Sequence, residues 1–174
     1  MSIKLEKVTK IYSTGEVETV ALKEVSLEIQ EGEVIVLLGP SGSGKSTMLN
    51  VISGLDNPTS GIIVIDGEVI SDMNSKQLTK FRRDNLGFIF QQYNLLQTLS
   101  VRENVEVGRE VSLDPFTVEE IIEQVGLTPN IEKYPYQLSG GEQQRVSIAR
   151  AVVKKPKIMF CDEPTGALDE ENAK

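Results

Sequence analysis

The residues Gly39-Pro40-Ser41-Gly42-Ser43-Gly44-Lys45-Ser46-Thr47 bring together bare backbone, an ammonium group and hydroxyls in the order G-x-x-x-x-G-K-[ST]. They follow the apolar run Val34-Ile35-Val36-Leu37-Leu38 and lead into an amphipathic segment that starts near Lys45. Small residues let successive backbone N–H groups turn inward around phosphate oxygens, and a helix N-terminus adds the positive end of its dipole. The Lys45 ammonium suits the β- and γ-phosphates, and the Ser46 hydroxyl suits Mg²⁺. A plain glycine-rich turn after a strand would explain neither the lysine nor the hydroxyl behind it. The spacing implies binding of a nucleoside triphosphate.

Two further constellations could complete that chemistry. Ile158-Met159-Phe160-Cys161 reads as a buried strand ending in Asp162-Glu163-Pro164. An apolar run ended by a carboxylate puts the acid at the carboxyl edge of a parallel sheet. Asp162 is then expected to help hold Mg²⁺, and Glu163 to position and deprotonate an attacking water. An Asp-Glu pair alone more often sits in a solvated turn; behind a phosphate loop it reads as catalytic. The other constellation is Leu138-Ser139-Gly140-Gly141-Glu142-Gln143-Gln144-Arg145-Val146. Ser139 and Glu142 form a capping box, which is reason enough for a helix start. Yet two glycines in a first turn cost up to ~1 kcal/mol each relative to alanine. Bare backbone beside a serine reads instead as a second anion site. One triphosphate at the first site need not reach the second in the same molecule, so a head-to-tail pair of chains is implied.

The elements that must position these residues alternate along the chain. Residues 3–8 and 18–30 alternate apolar and polar side chains and predict strands, with a turn at Ser13-Thr14-Gly15. Residues 33–38 predict the strand that feeds the phosphate loop. Met48, Leu49, Val51, Ile52 and Leu55 predict one apolar face of the following helix, which stops at Gly54 with Pro58 beyond. Residues 62–66 and 68–70 predict a hairpin around Gly67, and residues 87–90 a strand running into Gln91-Gln92. From Ser100 to Val153 the pattern is mostly helical; Thr117 and Glu120 form a capping box, and Gly126 closes that helix.

Composition bounds the reading. At 174 residues the chain fits one domain and can bury roughly 70% of its unfolded surface. A net charge of −8 argues against a nucleic-acid partner. Lys80, Arg82 and Arg83 are basic, but Asp84 follows and they read as a solvated face. The lone Cys161 reads as a buried, reduced thiol. No apolar run approaches the ~18 residues of a membrane span, and there is no signal-peptide pattern.

With these motifs in place the chain resembles the nucleotide-binding subunits of ATP-binding cassette (ABC) transporters. The order matches over residues 3–174: Walker A at 39–47, Q-loop at Gln91, signature at 138–143, Walker B at 158–163 and D-loop at Ala167-Leu168-Asp169. Residues 88–96, 138–150 and 162–169 are most similar to the branch that releases lipoproteins or exports macrolides and antimicrobial peptides. The resemblance implies an α/β fold with a P-loop core (34–59, 86–91, 156–174), mostly parallel in its sheet. It also implies an antiparallel β part (1–33, 60–70) and an inserted helical subdomain (92–155), all within one cassette. It implies ATP and Mg²⁺ as ligands, an ATP-dependent sandwich homodimer, membrane-spanning partner subunits met near the Q-loop, and a cytoplasmic site on the inner membrane face.

Carried over by position, Tyr12 matches the aromatic that stacks on adenine; a core aromatic is the competing reading. Gly39, Ser41, Gly42, Ser43, Gly44, Lys45, Ser46 and Thr47 match the phosphate and Mg²⁺ contacts. Gln91, with Gln92 as its alternative, matches the residue that contacts Mg²⁺ and the attacking water. Ser139, Gly140 and Gly141 match γ-phosphate contacts made across the dimer, and Asp169 an interface aspartate. Glu142 stands where many members have glutamine. The family also has a histidine beyond the D-loop, whereas this chain ends at Lys174 and contains none. It reads as truncated, without the closing strands, and is expected to bind ATP but turn it over poorly. A nucleotide-gated interaction module with little hydrolysis is the alternative. A soluble DNA- or ribosome-acting ABC protein fits less well, given the negative charge and the single cassette.

Overall fold

Residues 1–162 are described by the structure, a computed structural model. They divide into two compact units that meet in sequence between Arg82 and Arg83. Glu163 and Asp169, two of the expected site residues, lie outside the described residues.

The first unit is built on period-two alternation. Strand β1 (Ile3–Thr14) pairs antiparallel with β2 (Val17–Ile29) on one side and with β3 (Ser60–Ile65) on the other. A short β4 (Glu68–Val69) turns back from β3 and completes the order β2-β1-β3-β4. Leu5 stands opposite both Leu27 and Ile63, and Ile3 opposite both Ile29 and Ile65. Ile3, Leu5, Val8, Ile63 and Ile65 are buried. The inward phase moves from odd to even positions of β1 because the ladder breaks between Leu5 and Val8. Lys7 there takes a positive φ of 48°, as does Glu24 (φ 46°) on β2, and a bulge of this kind turns every following side chain to the other face.

Helix α1 (Lys45–Ile52) buries Met48, Val51 and Ile52. It ends at Ser53 and Gly54, whose φ of 66° stops the helix as expected. Leu55, expected on the same apolar face, lies beyond that stop and is exposed. Helix α2 (Ser75–Asn85) runs across the division between the units and was not foreseen from the sequence. Its start is held by Asn74, whose Oδ1 accepts from the N–H of Lys76 and Gln77 at 3.0 Å each, while Gln77 Oε1 accepts from Asn74 N. Leu78 and Phe81 are its buried residues.

One expected strand is absent. Residues 33–38 form no ladder among the described residues, and Val34, Val36 and Leu38 are 90%, 71% and 88% exposed. An apolar run carries no information about its partner, and without a neighbouring strand its N–H and C=O groups cannot form a sheet.

The second unit has a two-stranded parallel sheet, β5 (Leu86–Ile89) beside β6 (Ile158–Cys161), with Leu86 opposite Ile158 and Ile89 opposite Cys161. Helices α3 (Val101–Glu110), α4 (Val118–Gln124) and α5 (Gly140–Val152) share one core. Val101, Val105, Ile121, Ile122, Leu127, Val146, Ala149 and Val153 meet in it. Each of the three helices opens with a complete capping box: Ser100–Glu103, Thr117–Glu120 and Ser139–Glu142. Cys161 corrects an expectation, since it is exposed. It closes a strand that has one partner, β5, among the described residues, so little covers it at the rim; the atoms that do approach it push its thiol upward in pKa by burial. The α/β architecture expected from the sequence is otherwise the one observed, with antiparallel strands in the first unit and parallel strands in the second.

Candidate functional site

In the first unit the phosphate loop enters α1 through Gly44, which caps the helix with a φ of 89°. An added Cβ at Gly44 would stand 2.6 Å from the carbonyl oxygen of Ala21. Both the left-handed backbone and the close approach therefore require glycine there. Gly42, at φ 79°, supplies the other left-handed step, and Ser43 N donates to Pro40 O at 3.2 Å. Lys45 Nζ donates to the carbonyls of Gly39 at 2.9 Å and Pro40 at 3.1 Å. Ser41, Gly42, Ser43 and Ser46 are exposed, and Lys45 and Thr47 half-buried.

The start of α1 differs from those of the other capped helices. It has no side-chain cap and no acidic residue in its first turn, whereas α3, α4 and α5 each have both. An uncapped first turn leaves N–H donors and the positive dipole end for another anion. The donor set of loop, helix start and ammonium fits a polyphosphate.

Tyr12 is 40% exposed, so it is not the core aromatic of the competing reading. Its hydroxyl donates to Asp56 Oδ2 at 2.9 Å, and the Lys10 ammonium lies 4.8 Å from its ring centroid. Lys10 also donates to Asp56 Oδ1 at 2.7 Å. Burial pushes the Asp56 carboxyl up, but the hydrogen bonds from Lys10 and Tyr12 outweigh it and hold the group below its usual range. Neither Lys10 nor Asp56 was singled out in the sequence; no local pattern pairs residues so far apart in the chain.

In the second unit Asp162 follows β6, and its N–H donates to Ile89 O at 2.9 Å, extending the ladder by one step. Gln91 lies two residues beyond Ile89 on the neighbouring strand. Because the pair is parallel, Asp162 and Gln91 stand at the same carboxyl edge. Both Gln91 and Gln92 are exposed. The chain after them is fastened to α5: the Arg150 guanidinium donates to Tyr93 O at 2.9 Å and to Asn94 O at 2.7 Å. Asn104, fully buried, fastens the next turn, accepting from Leu96 N and donating to the carbonyls of Leu96, Leu99 and Ser100. Neither fastening was read from the sequence, although Asn104 stands one helical turn after the Ser100 cap.

Ser139 caps α5, with Gly140 exposed and Gly141 half-buried in the first turn. Glu142 Oε2 accepts from Ser139 N at 2.7 Å and from Ser139 Oγ at 2.8 Å. Asn130 Nδ2 donates to the other carboxylate oxygen. The Ser139 N–H and hydroxyl, helped by Asn130 and the nearby Lys133 charge, hold the Glu142 carboxyl below its ordinary value against the effect of burial. This helix start thus already holds a carboxylate, and an external anion there would share Ser139 with it.

A glycine-framed phosphate loop, an acid at a parallel-strand edge and a Leu-Ser-Gly-Gly helix start together define an ATP-binding cassette. The chain belongs to the ABC transporter family, whose model matches residues 22–166. It is 51% identical over 172 residues to a putative ABC transporter ATP-binding protein, the MG065 homolog of Mycoplasma pneumoniae, covering 97% of this chain and 37% of that protein. It is 47% identical over 175 residues to an uncharacterized ABC transporter ATP-binding protein, MJ1508 of Methanocaldococcus jannaschii, covering 98% of this chain and 78% of that one. The chain therefore spans little more than a third of the first relative's length and over three quarters of the second's. A solved dimeric structure of the ATP-binding cassette MJ0796, in a post-hydrolysis state bound to ADP and Pi, matches with a TM-score of 0.89 at 45% identity, over 98% of this chain and 77% of that one. Among the described residues no helix is long and apolar enough to cross a membrane.

Proposed function

We propose that this chain binds Mg²⁺–ATP and hydrolyses it to ADP and phosphate, powering an ABC transporter of the exporting type. The observation that carries the reading is the start of α1, where an uncapped first turn, two left-handed glycines and the Lys45 ammonium converge. The phosphates lie against the backbone N–H groups of Gly39 and of residues 41–47 and against the Lys45 ammonium, and the adenine stacks on Tyr12. Mg²⁺ supplies charge neutralisation between phosphate oxygens, and Ser46, Gln91 and Asp162 would hold it. No group of three or more acidic, histidine or cysteine side chains that could hold a metal ion occurs among the described residues; a hydroxyl and one carboxylate are hard oxygen donors that would suit Mg²⁺. Glu163 takes the proton of the attacking water as its oxygen bonds to the γ-phosphorus and the bond to the β-phosphate bridging oxygen breaks.

The partner copy would supply Ser139, Gly140 and Gly141 to complete the site head-to-tail, with Asp169 at the interface. In favour of such a homodimer is the dimeric state in which the 45%-identical cassette was solved. The helical segment 92–155 would carry the surface for membrane-spanning subunits, beside a β part (1–33, 60–70) and a core (34–59, 86–91, 156–174). That arrangement makes the chain peripheral on the inner, cytoplasmic face of the membrane. The exporting type rests on the likeness of residues 88–96 and 138–150 to that branch. The test is Mg²⁺–ATP hydrolysis by the purified chain against its concentration, with Glu163→Gln as control. Weak turnover that rises with the square of concentration and vanishes in the variant is the expected result. ATP binding without turnover would favour a nucleotide-gated interaction module instead.

A further inference from the structure

The first unit contains an ion pair that the phosphate chemistry does not use. Asp56 follows the end of α1, and its N–H and that of Leu55 both donate to Asn50 O, at 3.0 and 2.9 Å, so its backbone is tied to that helix. Its carboxylate spends each oxygen on a different donor. Oδ1 accepts from Lys10 Nζ at 2.7 Å and from Asn57 N at 2.8 Å, and Oδ2 accepts from the Tyr12 hydroxyl at 2.9 Å. Lys10 in turn donates to Asn57 O at 2.8 Å and lies over the Tyr12 ring, 4.8 Å from its centroid. The Lys10 side chain is 12% exposed and that of Asp56 33%. The lysine is sheltered and the aspartate partly so, which sets them apart from the fully solvated surface pairs that contribute little. An exposed tyrosine on a strand would otherwise rotate freely about its side-chain bonds. Here its far end is bolted to the helix that begins at the phosphate loop, and a lysine occupies one side of its ring.

We propose that Asp56 is a positioning residue for the nucleotide base: by holding the Tyr12 hydroxyl and the Lys10 ammonium together, it fixes the plane on which adenine stacks. The proposal rests on the reading of Tyr12 as the base contact. Fixing the ring in advance removes its ordering cost from binding, so the effect falls on affinity for a nucleotide and not on affinity for phosphates alone.

The experiment titrates the purified chain with Mg²⁺–ATP and, separately, with Mg²⁺–tripolyphosphate, which has the phosphates without a base. Asp56→Ala is expected to weaken ATP roughly two- to tenfold and leave tripolyphosphate unchanged. Tyr12→Phe, which keeps the ring and loses the hydroxyl, is expected to show the same selective loss. The double variant should be no weaker than the worse single one, as for two halves of one interaction. Asp56→Asn can still accept from the tyrosine and should recover part of the affinity, which covers the case in which the alanine variant folds poorly. Equal losses for ATP and tripolyphosphate, or simple additivity in the double variant, would overturn the proposal. An unchanged ATP affinity in Asp56→Ala overturns it as well, provided that Tyr12→Leu loses ATP selectively. A Tyr12→Leu variant that binds ATP normally overturns the base contact itself, and the positioning role with it.

Discussion

Lys45 Nζ donates to the carbonyl oxygen of Gly39 at 2.9 Å, so the ammonium reaches back across the loop to its first residue. With a second bond to Pro40 O, two of its three donors are satisfied inside the loop. On the proposed function a phosphate oxygen would complete the set. Charge-assisted bonds of this kind contribute about 1.5–3 kcal/mol, so Lys45→Ala should weaken ATP binding about ten- to hundredfold. Lys45→Arg should not restore it, because a planar fork does not replace a point charge in a narrow loop. Titration with a fluorescent ATP analogue checks both; wild-type affinity in the alanine variant would contradict the assignment.

Gly44 and Gly42 separate two causes of glycine dependence. Both have positive φ, but only Gly44 would press a new Cβ on a neighbour, the Ala21 carbonyl oxygen, while nothing lies within 4 Å of the Cβ built at Gly42. Gly42→Ala should cost about 1–2 kcal/mol of stability for its left-handed backbone alone. Gly44→Ala should cost that and about 1–3 kcal/mol more for overpacking against backbone. Urea unfolding of the two variants gives the order, and equal midpoints would show that the Ala21 approach relaxes freely.

Arg150 is the fastening of the chain beyond Gln91. Burial lowers its pKa, although it remains a cation, and its two bonds end on backbone carbonyls of Tyr93 and Asn94. Arg150→Ala leaves both carbonyls without this donor and should destabilise the second unit by about 2–3 kcal/mol. Arg150→Lys should recover about half, since one ammonium cannot reproduce the fork. Chemical denaturation reports the loss, and backbone amide shifts of residues 91–96 should move in both variants. Undisturbed shifts would mean that the loop holds its shape without the guanidinium.

Glu142 makes the second unit sensitive to acid. Its folded pKa lies below its ordinary value of 4.5, so its contribution is fully present above that pH and is lost as pH falls through the lowered value. Glu103 and Glu120 are shifted in the same direction by the same capping geometry, so all three helix starts weaken in one window. Glu142→Gln keeps the shape of the box without the charge. It should cost up to ~1 kcal/mol at neutral pH, and the difference from wild type should close once the pH is well below 4.5. Circular dichroism during denaturation at the two pH values measures it. A gap of constant size would show that the carboxylate charge is irrelevant to the cap.

What could be read from the sequence was what depends on neighbours within a few residues. The phosphate loop needs particular residue types at fixed spacing, and the boxes Thr117–Glu120 and Ser139–Glu142 are local, so each lies where expected. The apolar run ending in Asp162 implied a strand in a parallel sheet, but not that β5 would be its neighbour, because that pairing is not local. The bulge at Lys7 could not be read, because a change of inward phase looks like imperfect alternation until both partners are known. Asp56 and Asn104 act through groups that other elements bring to them. The run 34–38 misled for the converse reason: apolar content was visible, and the lack of a ladder partner among the described residues was not.

That run bears directly on how the molecule would be attacked. Among the described residues its backbone amides take no part in a ladder, unlike Lys157 and Asp162, whose N–H groups are bonded to β5 and its flank. In deuterated solvent residues 34–38 should exchange at nearly the rate of a free peptide, while the β5–β6 amides lag behind. Leu38, 88% exposed and immediately before Gly39, is a natural cleavage point for a protease that prefers leucine. A single nick there would cut the chain at the doorstep of its phosphate loop, so the motif with the most specific chemistry is joined to the sheet before it by an easily severed bond.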